Sequence, residues 1–142
     1  IPFDLRRTDP YDAYPNLDFD VMVEHGCDAY SRSRVRFREF RQSMDLLRQA
    51  IAQCPRTGPY VGKAARLRPP AGSEHYRAVE ISRGELGTYI IADGTEKPFR
   101  MKHRSPSFVT LQALPDMFVG SKFSDAIAIL GSIDIVLGEV DR

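Results

Sequence analysis

The chain has 142 residues, 42% of them hydrophobic and 27% charged, with a formal net charge of +1. This length fits one domain, so we expect residues 1–142 to form a single domain. The near-neutral charge and ordinary apolar content exclude a disordered tail and argue against a nucleic-acid-binding protein. No apolar run approaches the ~20 residues that a membrane helix needs. The two cysteines, Cys27 and Cys54, are too few for a disulfide framework and indicate a reducing, cytoplasmic compartment.

The beginning of the chain predicts an extended, turn-rich segment followed by a strand. Residues 1–16 contain three prolines and lack both a signal-peptide pattern and an initiator methionine, which is consistent with a piece of a longer protein. Apolar and polar residues alternate between Leu17 and Val23, which predicts a short strand with one buried face. His25 and Cys27 have no convergent ligands at metal-site spacing, so we expect no metal site there.

The clearest predicted helix begins at Ser31 or Ser33, runs to about Gln53 and ends at Cys54-Pro55. Apolar side chains at steps of three and four residues form one stripe along it. Arginines interleaved with acids cover its other faces, so we favour a solvated or partner-facing bundle helix over a nucleic-acid face. The stripe consists of Phe37, Phe40, Met44, Leu47 and Ile51.

The next segment, residues 55–73, is rich in proline and glycine and predicts a long loop. Loops of this length inside compact domains are often functional or partner-bound. The Gly62-Lys63 pair lacks the spacing of a phosphate-binding loop. The basic residues of the segment, with no acid among them, are Arg56, Lys63, Arg66 and Arg68.

Residues 75–104 predict an antiparallel β region with turns at Arg83-Gly84 and Asp93-Gly94. In the last strand, apolar residues alternate with three cations. This pattern fits a solvated edge strand, and it fits equally a cationic strand that meets an acidic partner or lines a polar cavity. We interpret His103, on the apolar side, as a satisfied core histidine. The three cations are Arg100, Lys102 and Arg104.

The C-terminal part predicts two helices and a hydrophobic tail. Ser105-Pro106 begins the first helix, which Pro115 ends; Ser121 or Ser124 caps the second, and Gly131 is its expected C-cap.

The tail, residues 132–142, carries one acid, Asp134, among apolar residues. A carboxylate in such surroundings needs a partner, either as a structural ion pair or as a functional acid. Removing one member of a buried pair costs about 3–5 kcal/mol. Candidate partners are Arg83, Arg100, Arg104 and Arg142.

Three separated stretches resemble one family. They are DLRRTDPYDAYPNLDFDV at residues 4–21, RGELGTYIIADGTEKPFRMKHRSPSFVTLQALPDMF at 83–118, and ILGSIDIVLGEVDR at 129–142. They are similar to the C-terminal third of the hydrogenase-like large subunit, the D-type subunit, of NADH–quinone oxidoreductase (respiratory complex I). The resemblance implies an α+β fold: the C-terminal part of a nickel–iron-hydrogenase-large-subunit-like fold, with a bundle helix, a small antiparallel sheet and a buried C-terminal tail.

The resemblance also implies a role in a complex. The parent enzyme would pass electrons from NADH through iron–sulfur clusters to quinone, coupled to proton translocation, and this chain would form one wall of the quinone-reduction cavity. The chain itself would bind no cofactor, because NADH, FMN and the clusters belong to partner subunits. Expected partners are the iron–sulfur subunit with the terminal cluster, other peripheral-arm subunits and the membrane quinone-channel subunit, with no nucleic acid. The expected location is peripheral, on the cytoplasmic side of the inner (cell) membrane.

The candidate site residues come from the same resemblance. Hydrogenases end in Asp-Pro-Cys-x-x-Cys-x-x-His, and Asp134 matches the aspartate of this pattern. Ile135 stands at the proline position, Val136 and Glu139 stand at the two cysteine positions, and Arg142 stands at the histidine position. Nickel and iron need thiolates, and Val136 offers no ligand atom, so no such metal site is expected. Arg83 matches the arginine of a Pro-Arg-Gly motif in which Ser82 replaces the proline. Quinone-cavity candidates are therefore Asp134, Val136, Glu139, Arg142 and Arg83.

No residue of this chain is expected to be catalytic in isolation, since the family's quinone-ligating tyrosine and histidine lie in an N-terminal hairpin outside these residues. Two alternatives stay open. One is a subunit of a related membrane-bound oxidoreductase or hydrogenase-like complex with another electron donor. The other is a non-catalytic assembly module of the same fold.

Overall fold

The computed structural model describes residues 2–63 and 67–141, so two residues named above, Arg66 and Arg142, lie outside the described residues. The chain forms helices and one small antiparallel sheet, which confirms the α+β class. The elements in chain order are α1 (Leu5–Thr8), a 3₁₀ turn (Tyr14–Asn16), α2 (Ala29–Gln53), β1 (Glu74–Ile81), β2 (Gly84–Ala92), β3 (Pro98–Arg104), α3 (Pro106–Leu111), α4 (Leu114–Phe118), a 3₁₀ turn (Phe123–Asp125), α5 (Ala126–Ile133) and α6 (Leu137–Val140).

The chain divides into two compact units. The first contains Ile1–Arg56 and Thr110–Ile135, and the second contains Thr57–Val109 and Val136–Arg142. The expectation of a single domain stays a prediction, because compact units of this size also occur within one domain. Among the described residues, no helix combines the length and the apolar character needed to cross a bilayer.

The long helix α2 dominates the first unit and begins slightly earlier than predicted. Asp28 is its N-cap, and the Asp28 carboxylate accepts a hydrogen bond of 2.7 Å from the Ser31 backbone N–H. That hydrogen bond lowers the pKa of Asp28. The helix ends at Gln53, with Cys54 as its C-cap, as the Cys54-Pro55 pair predicts.

The predicted strand at Leu17–Val23 is wrong, although the burial pattern behind it is real. Leu17 and Phe19 are buried against Leu46 of α2, but the segment pairs with no strand among the described residues. Its backbone is satisfied by a side chain instead. Gln49 of α2 accepts a hydrogen bond from the Asp18 N–H at 2.8 Å and donates one to the Asp18 carbonyl at 2.9 Å.

The apolar stripe of α2 does not face the core of its unit. Its residues are exposed, from 44% for Met44 to 73% for Phe37. The helix buries Ser31 and Leu46 instead, and it packs against α5. The α2 stripe, defined as Phe37, Phe40, Met44, Leu47 and Ile51, is therefore an uncovered apolar surface within the described residues.

The second unit is built on an antiparallel sheet of order β1-β2-β3. Both predicted turns are present, but the first is shifted by one residue: Ser82 and Arg83 join β1 to β2, with Gly84 as the first residue of β2, and Asp93-Gly94 follows β2. His103 Nδ1 lies 3.1 Å from Thr88 Oγ1, so the histidine is hydrogen-bonded as expected, but it is half-buried rather than part of the core. The three cations of β3 are exposed on an edge strand, and Arg104 pairs with Glu85 at 3.2 Å.

Two helix boundaries near the C-terminus differ from prediction. Pro115 lies in the first turn of α4 rather than at the end of a longer helix, because proline is tolerated where the backbone N–H has no helical acceptor. Gly131 lies inside α5, and Asp134 takes the C-cap position expected for it.

Candidate functional site

In the first unit, Asp134 ends α5 in a left-handed conformation, with φ 51° and ψ 53°. Its backbone N–H donates to the Gly131 carbonyl at 3.2 Å. Glycine usually occupies such a position, and aspartate and asparagine are among the few other residues that tolerate it. Asp134 therefore has a local structural role that its apolar sequence context did not reveal.

Two arginines of α2 reach the same end of α5. The Arg32 Nε donates to Ser132 Oγ at 2.8 Å, and an Arg36 guanidinium nitrogen donates to the Gly131 carbonyl at 3.5 Å. Arg36 Nε also lies 3.9 Å from the Asp134 carboxylate. Cations at a helix C-terminus are favourable because the last carbonyls carry partial negative charge. These arginines give the end of α5 a cationic neighbour from a distant part of the sequence.

Arg36 is a partner of Asp134 that the sequence reasoning did not name. Of the four cations that it did name, Arg104 pairs with Glu85. The buried charge inferred from the apolar flanks is wrong, because the Asp134 side chain is 39% exposed. An ion pair this exposed contributes at most about 1 kcal/mol, well below the roughly 3–5 kcal/mol expected for a buried pair.

In the second unit, the tail is held by Ser107, which is only 2% exposed. The Ser107 hydroxyl donates to Glu139 Oε2 at 2.5 Å and accepts the Val136 backbone N–H at 3.2 Å. Val136 and Glu139 were predicted site residues, whereas Ser107 was missed. Its only sequence signal is its place in Ser105-Pro106-Ser107, where Ser105 supplies the helix cap by accepting the Phe108 N–H at 3.3 Å.

Arg83 lies in the two-residue turn between β1 and β2, half-buried. The following residue, Gly84, has a φ of 131°, and a Cβ built on it would lie 3.3 Å from the Pro106 Cβ. The turn therefore lies against the start of α3, one residue before Ser107.

Of the predicted residues of the second unit, Val136 and Glu139 thus meet at Ser107, and the turn that carries Arg83 lies against the neighbouring Pro106. Asp134 belongs to the other unit, and Arg142 lies outside the described residues.

The chemistry available at the start of α3 is positioning and hydrogen bonding. The Ser107 hydroxyl is engaged both as donor and as acceptor, so it is placed to hold the tail rather than to attack a substrate. Across residues 2–63 and 67–141, no group of three His, Cys, Asp or Glu side chains could hold a metal ion. The Val136 side chain, at one of the hydrogenase cysteine positions, has no ligand atom.

The fold is similar to that of a chain in a known respiratory membrane complex. It superimposes with a TM-score of 0.89 and 34% identity on a chain in the structure of the membrane-bound sulfane sulfur reductase, an archaeal respiratory membrane complex, and the match covers 100% of this chain and 40% of that one. Residues 1–73 and 63–142 match the family described as the respiratory-chain NADH dehydrogenase 49 Kd subunit, and the chain belongs to this family.

The individual relatives support the same family assignment. The chain is 48% identical, over 142 residues, to the NADH-quinone oxidoreductase D-type subunit of Dehalococcoides mccartyi strain 195, covering 100% of this chain and 38% of the relative. It is 46% identical, over 150 residues, to a D-type subunit of the same enzyme from Roseiflexus sp. strain RS-1, covering 100% and 40%. The resemblance found in the sequence is confirmed, and the chain spans about two-fifths of the length of these relatives.

Proposed function

We propose that this chain is the C-terminal part of the quinone-site core subunit of a proton-translocating NADH:quinone oxidoreductase and contributes one wall of its quinone-reduction cavity. The observation that carries the proposal is its 48% identity, along its whole length, to a protein named as the D-type subunit of NADH-quinone oxidoreductase. NADH, FMN and the iron–sulfur clusters are then held by partner subunits, and quinone is the substrate.

The residues at the start of α3 fit one wall of a quinone cavity rather than a complete quinone-binding site. Quinone carbonyl oxygens only accept hydrogen bonds, so a headgroup cavity needs a few convergent donors within apolar surroundings. Arg83 is a donor, and Val136, 38% exposed, is an apolar surface beside the Ser107–Glu139 pair. Asp134 of the first unit is the further polar candidate. Arg142 remains a candidate by resemblance alone.

The uncovered α2 stripe supports the assembly part of the proposal. Exposed apolar patches of this kind mark protein–protein surfaces. We infer that the stripe is covered in the assembled enzyme, whose neighbouring chains include the iron–sulfur subunit with the terminal cluster and the membrane quinone-channel subunit. In that assembly, this chain lies in the peripheral arm, on the cytoplasmic side of the inner (cell) membrane.

Photoaffinity labelling of the assembled complex tests the proposed wall. A quinone with a photoreactive headgroup should label peptides that contain Arg83 or residues 134–139, and an excess of unmodified quinone should suppress the labelling. Peptides of α2 serve as the internal control because its stripe is not part of the proposed cavity. Labelling confined to other regions of the complex would remove this chain from the quinone site.

A second function has its own supporting observation. The close structural match to a chain of the membrane-bound sulfane sulfur reductase fits a complex that uses another electron donor or acceptor. The lower identity of that match, 34% against 48%, places it second. Purified complex offered NADH and quinone, or reduced donors and sulfane sulfur compounds, separates the two by which pair turns over.

A further inference from the structure

We infer that Ser107 is the positioning residue that fixes the tail segment Val136–Val140, and through it the wall that the tail presents to quinone. The inference rests on the proposed function for its second half. Its first half, the anchoring of the tail, rests on geometry within one compact unit.

The tail has little to hold it by itself. Helix α6 spans only Leu137–Val140, and a helix of one turn does not persist alone because nucleation is unfavourable. Leu137, its first residue, is 74% exposed and so adds little apolar anchoring. The position of the tail must therefore be set by specific contacts.

Ser107 supplies two of these contacts from one oxygen atom. Its hydroxyl donates to Glu139 and accepts the Val136 N–H, so it joins the residue before α6 to the first turn of that helix. The hydrogen bond to Glu139 is short, at 2.5 Å, as expected for a hydroxyl donating to a carboxylate. The hydrogen bond to Glu139 therefore fixes α6 to Ser107, and the hydrogen bond from the Val136 N–H fixes the position of Val136.

Ser107 is itself rigidly placed. It is 2% exposed, it follows the buried Pro106, and the preceding Ser105 caps the helix through Phe108. A side chain with so little freedom can define the position of its partners, since residues that hold a site need their own rotamers fixed by packing.

The test uses the full subunit in its assembled complex and compares Ser107→Ala with Ser105→Ala. The two serines are both buried, at 2% and 5% exposure, but the Ser105 hydroxyl caps α3 whereas the Ser107 hydroxyl reaches the tail. In Ser107→Ala, amide hydrogen exchange of residues 136–140 should accelerate about ten-fold or more, because a hydrogen bond to a charged group is lost. The KM for quinone should rise by a similar factor, while NADH oxidation by a small artificial acceptor stays unchanged. Ser105→Ala removes the helix cap but leaves both hydroxyl contacts of Ser107 to the tail in place, so it should change tail exchange and the KM less than Ser107→Ala does.

A double-mutant cycle distinguishes the loss of the Ser107–Glu139 hydrogen bond from a general loss of packing around Ser107. If Ser107 acts through Glu139, then Ser107→Ala combined with Glu139→Ala should raise the KM for quinone no further than the larger single change. Glu139→Gln, which keeps an acceptor for the hydroxyl, should give a smaller effect than Glu139→Ala.

Unaltered tail exchange in Ser107→Ala would overturn the inference whatever the activity. Faster tail exchange with an unchanged KM for quinone would overturn its second half, as would independent effects in the cycle. If the unaltered complex reduces no quinone, the proposed function is wrong. The exchange rates of residues 136–140 in Ser107→Ala then still show whether Ser107 holds the tail.

Discussion

At the scale of single residues, Asp134 combines a backbone role with a charge, and the two can be separated by substitution. Asparagine tolerates the left-handed conformation about as well as aspartate, whereas alanine in that conformation costs roughly 1–2 kcal/mol. The ion pair with Arg36 is partly exposed, so losing it costs at most about 1 kcal/mol. Asp134→Asn therefore tests the charge while preserving the cap.

We expect Asp134→Asn in the full complex to leave assembly and NADH oxidation by a small artificial acceptor intact. Quinone reductase activity should fall about ten-fold or more, equivalent to ~1.4 kcal/mol of lost transition-state stabilisation. Asp116→Asn, an exposed acid in α4, is the matched control. A parallel decline of both activities and of complex abundance would assign Asp134 a structural role, and unchanged quinone reduction would remove it from the site.

Residue-scale prediction from the sequence was limited by long-range contacts. Val136 and Glu139 were identified from a motif, but Ser107 was not, because its partners lie 29 and 32 positions away. Arg36 was missed for the same reason, since it lies on α2 while Asp134 ends α5. The local sequence pattern shows which residues are polar in apolar surroundings, but it does not show which distant side chain contacts them.

At the scale of elements, the sequence predicted helices and turns correctly where neighbouring residues determine the local structure. It failed where a distant side chain satisfies the backbone or where a capping residue sets the end of a helix. The length of α2, its end at Cys54 and the two hairpin turns follow from periodicity and turn residues. The segment from Leu17 to Val23 has the alternation of a strand, but Gln49 satisfies the Asp18 backbone in place of a strand partner. The stripe of α2 was correctly recognised as one apolar face, and what the sequence left open was whether this unit or a partner covers it.

The exposed stripe leads to a prediction about assembly. In Phe40→Asp or Leu47→Asp, a carboxylate would enter an apolar interface, where it costs several kcal/mol unless it is paired. We expect the assembled complex to fall at least ten-fold in abundance on native gels. Arg41→Asp places the same residue on the same helix at another exposed position and should assemble normally, because surface changes of this kind stay within about 0.5 kcal/mol. Normal assembly of the stripe variants would show that the stripe faces solvent.

At the scale of the whole molecule, the 142 residues correspond to 38% of the length of the relative from Dehalococcoides mccartyi. The polar residues at the start of α3 hold the tail and offer donors, and Asp134 sits in the other unit. Redox chemistry needs a carrier such as a flavin, nicotinamide or metal cluster. Gly62-Lys63 does not form a phosphate-binding loop, and the described residues offer no cluster of metal ligands.

The purified 142-residue chain should therefore show no NADH oxidation and no quinone reduction above background. Because the α2 stripe is exposed, the isolated chain is expected to self-associate, so each assay needs a matched check that the protein is folded and dispersed, by circular dichroism and light scattering. The assembled complex measured in the same buffers is the positive control. Turnover by the folded chain alone would contradict the view that it forms one wall of a shared cavity, since one protein would then hold both the electron path and the quinone site. If the chain is inactive and the complex is active, the electron path lies in the remainder of the enzyme.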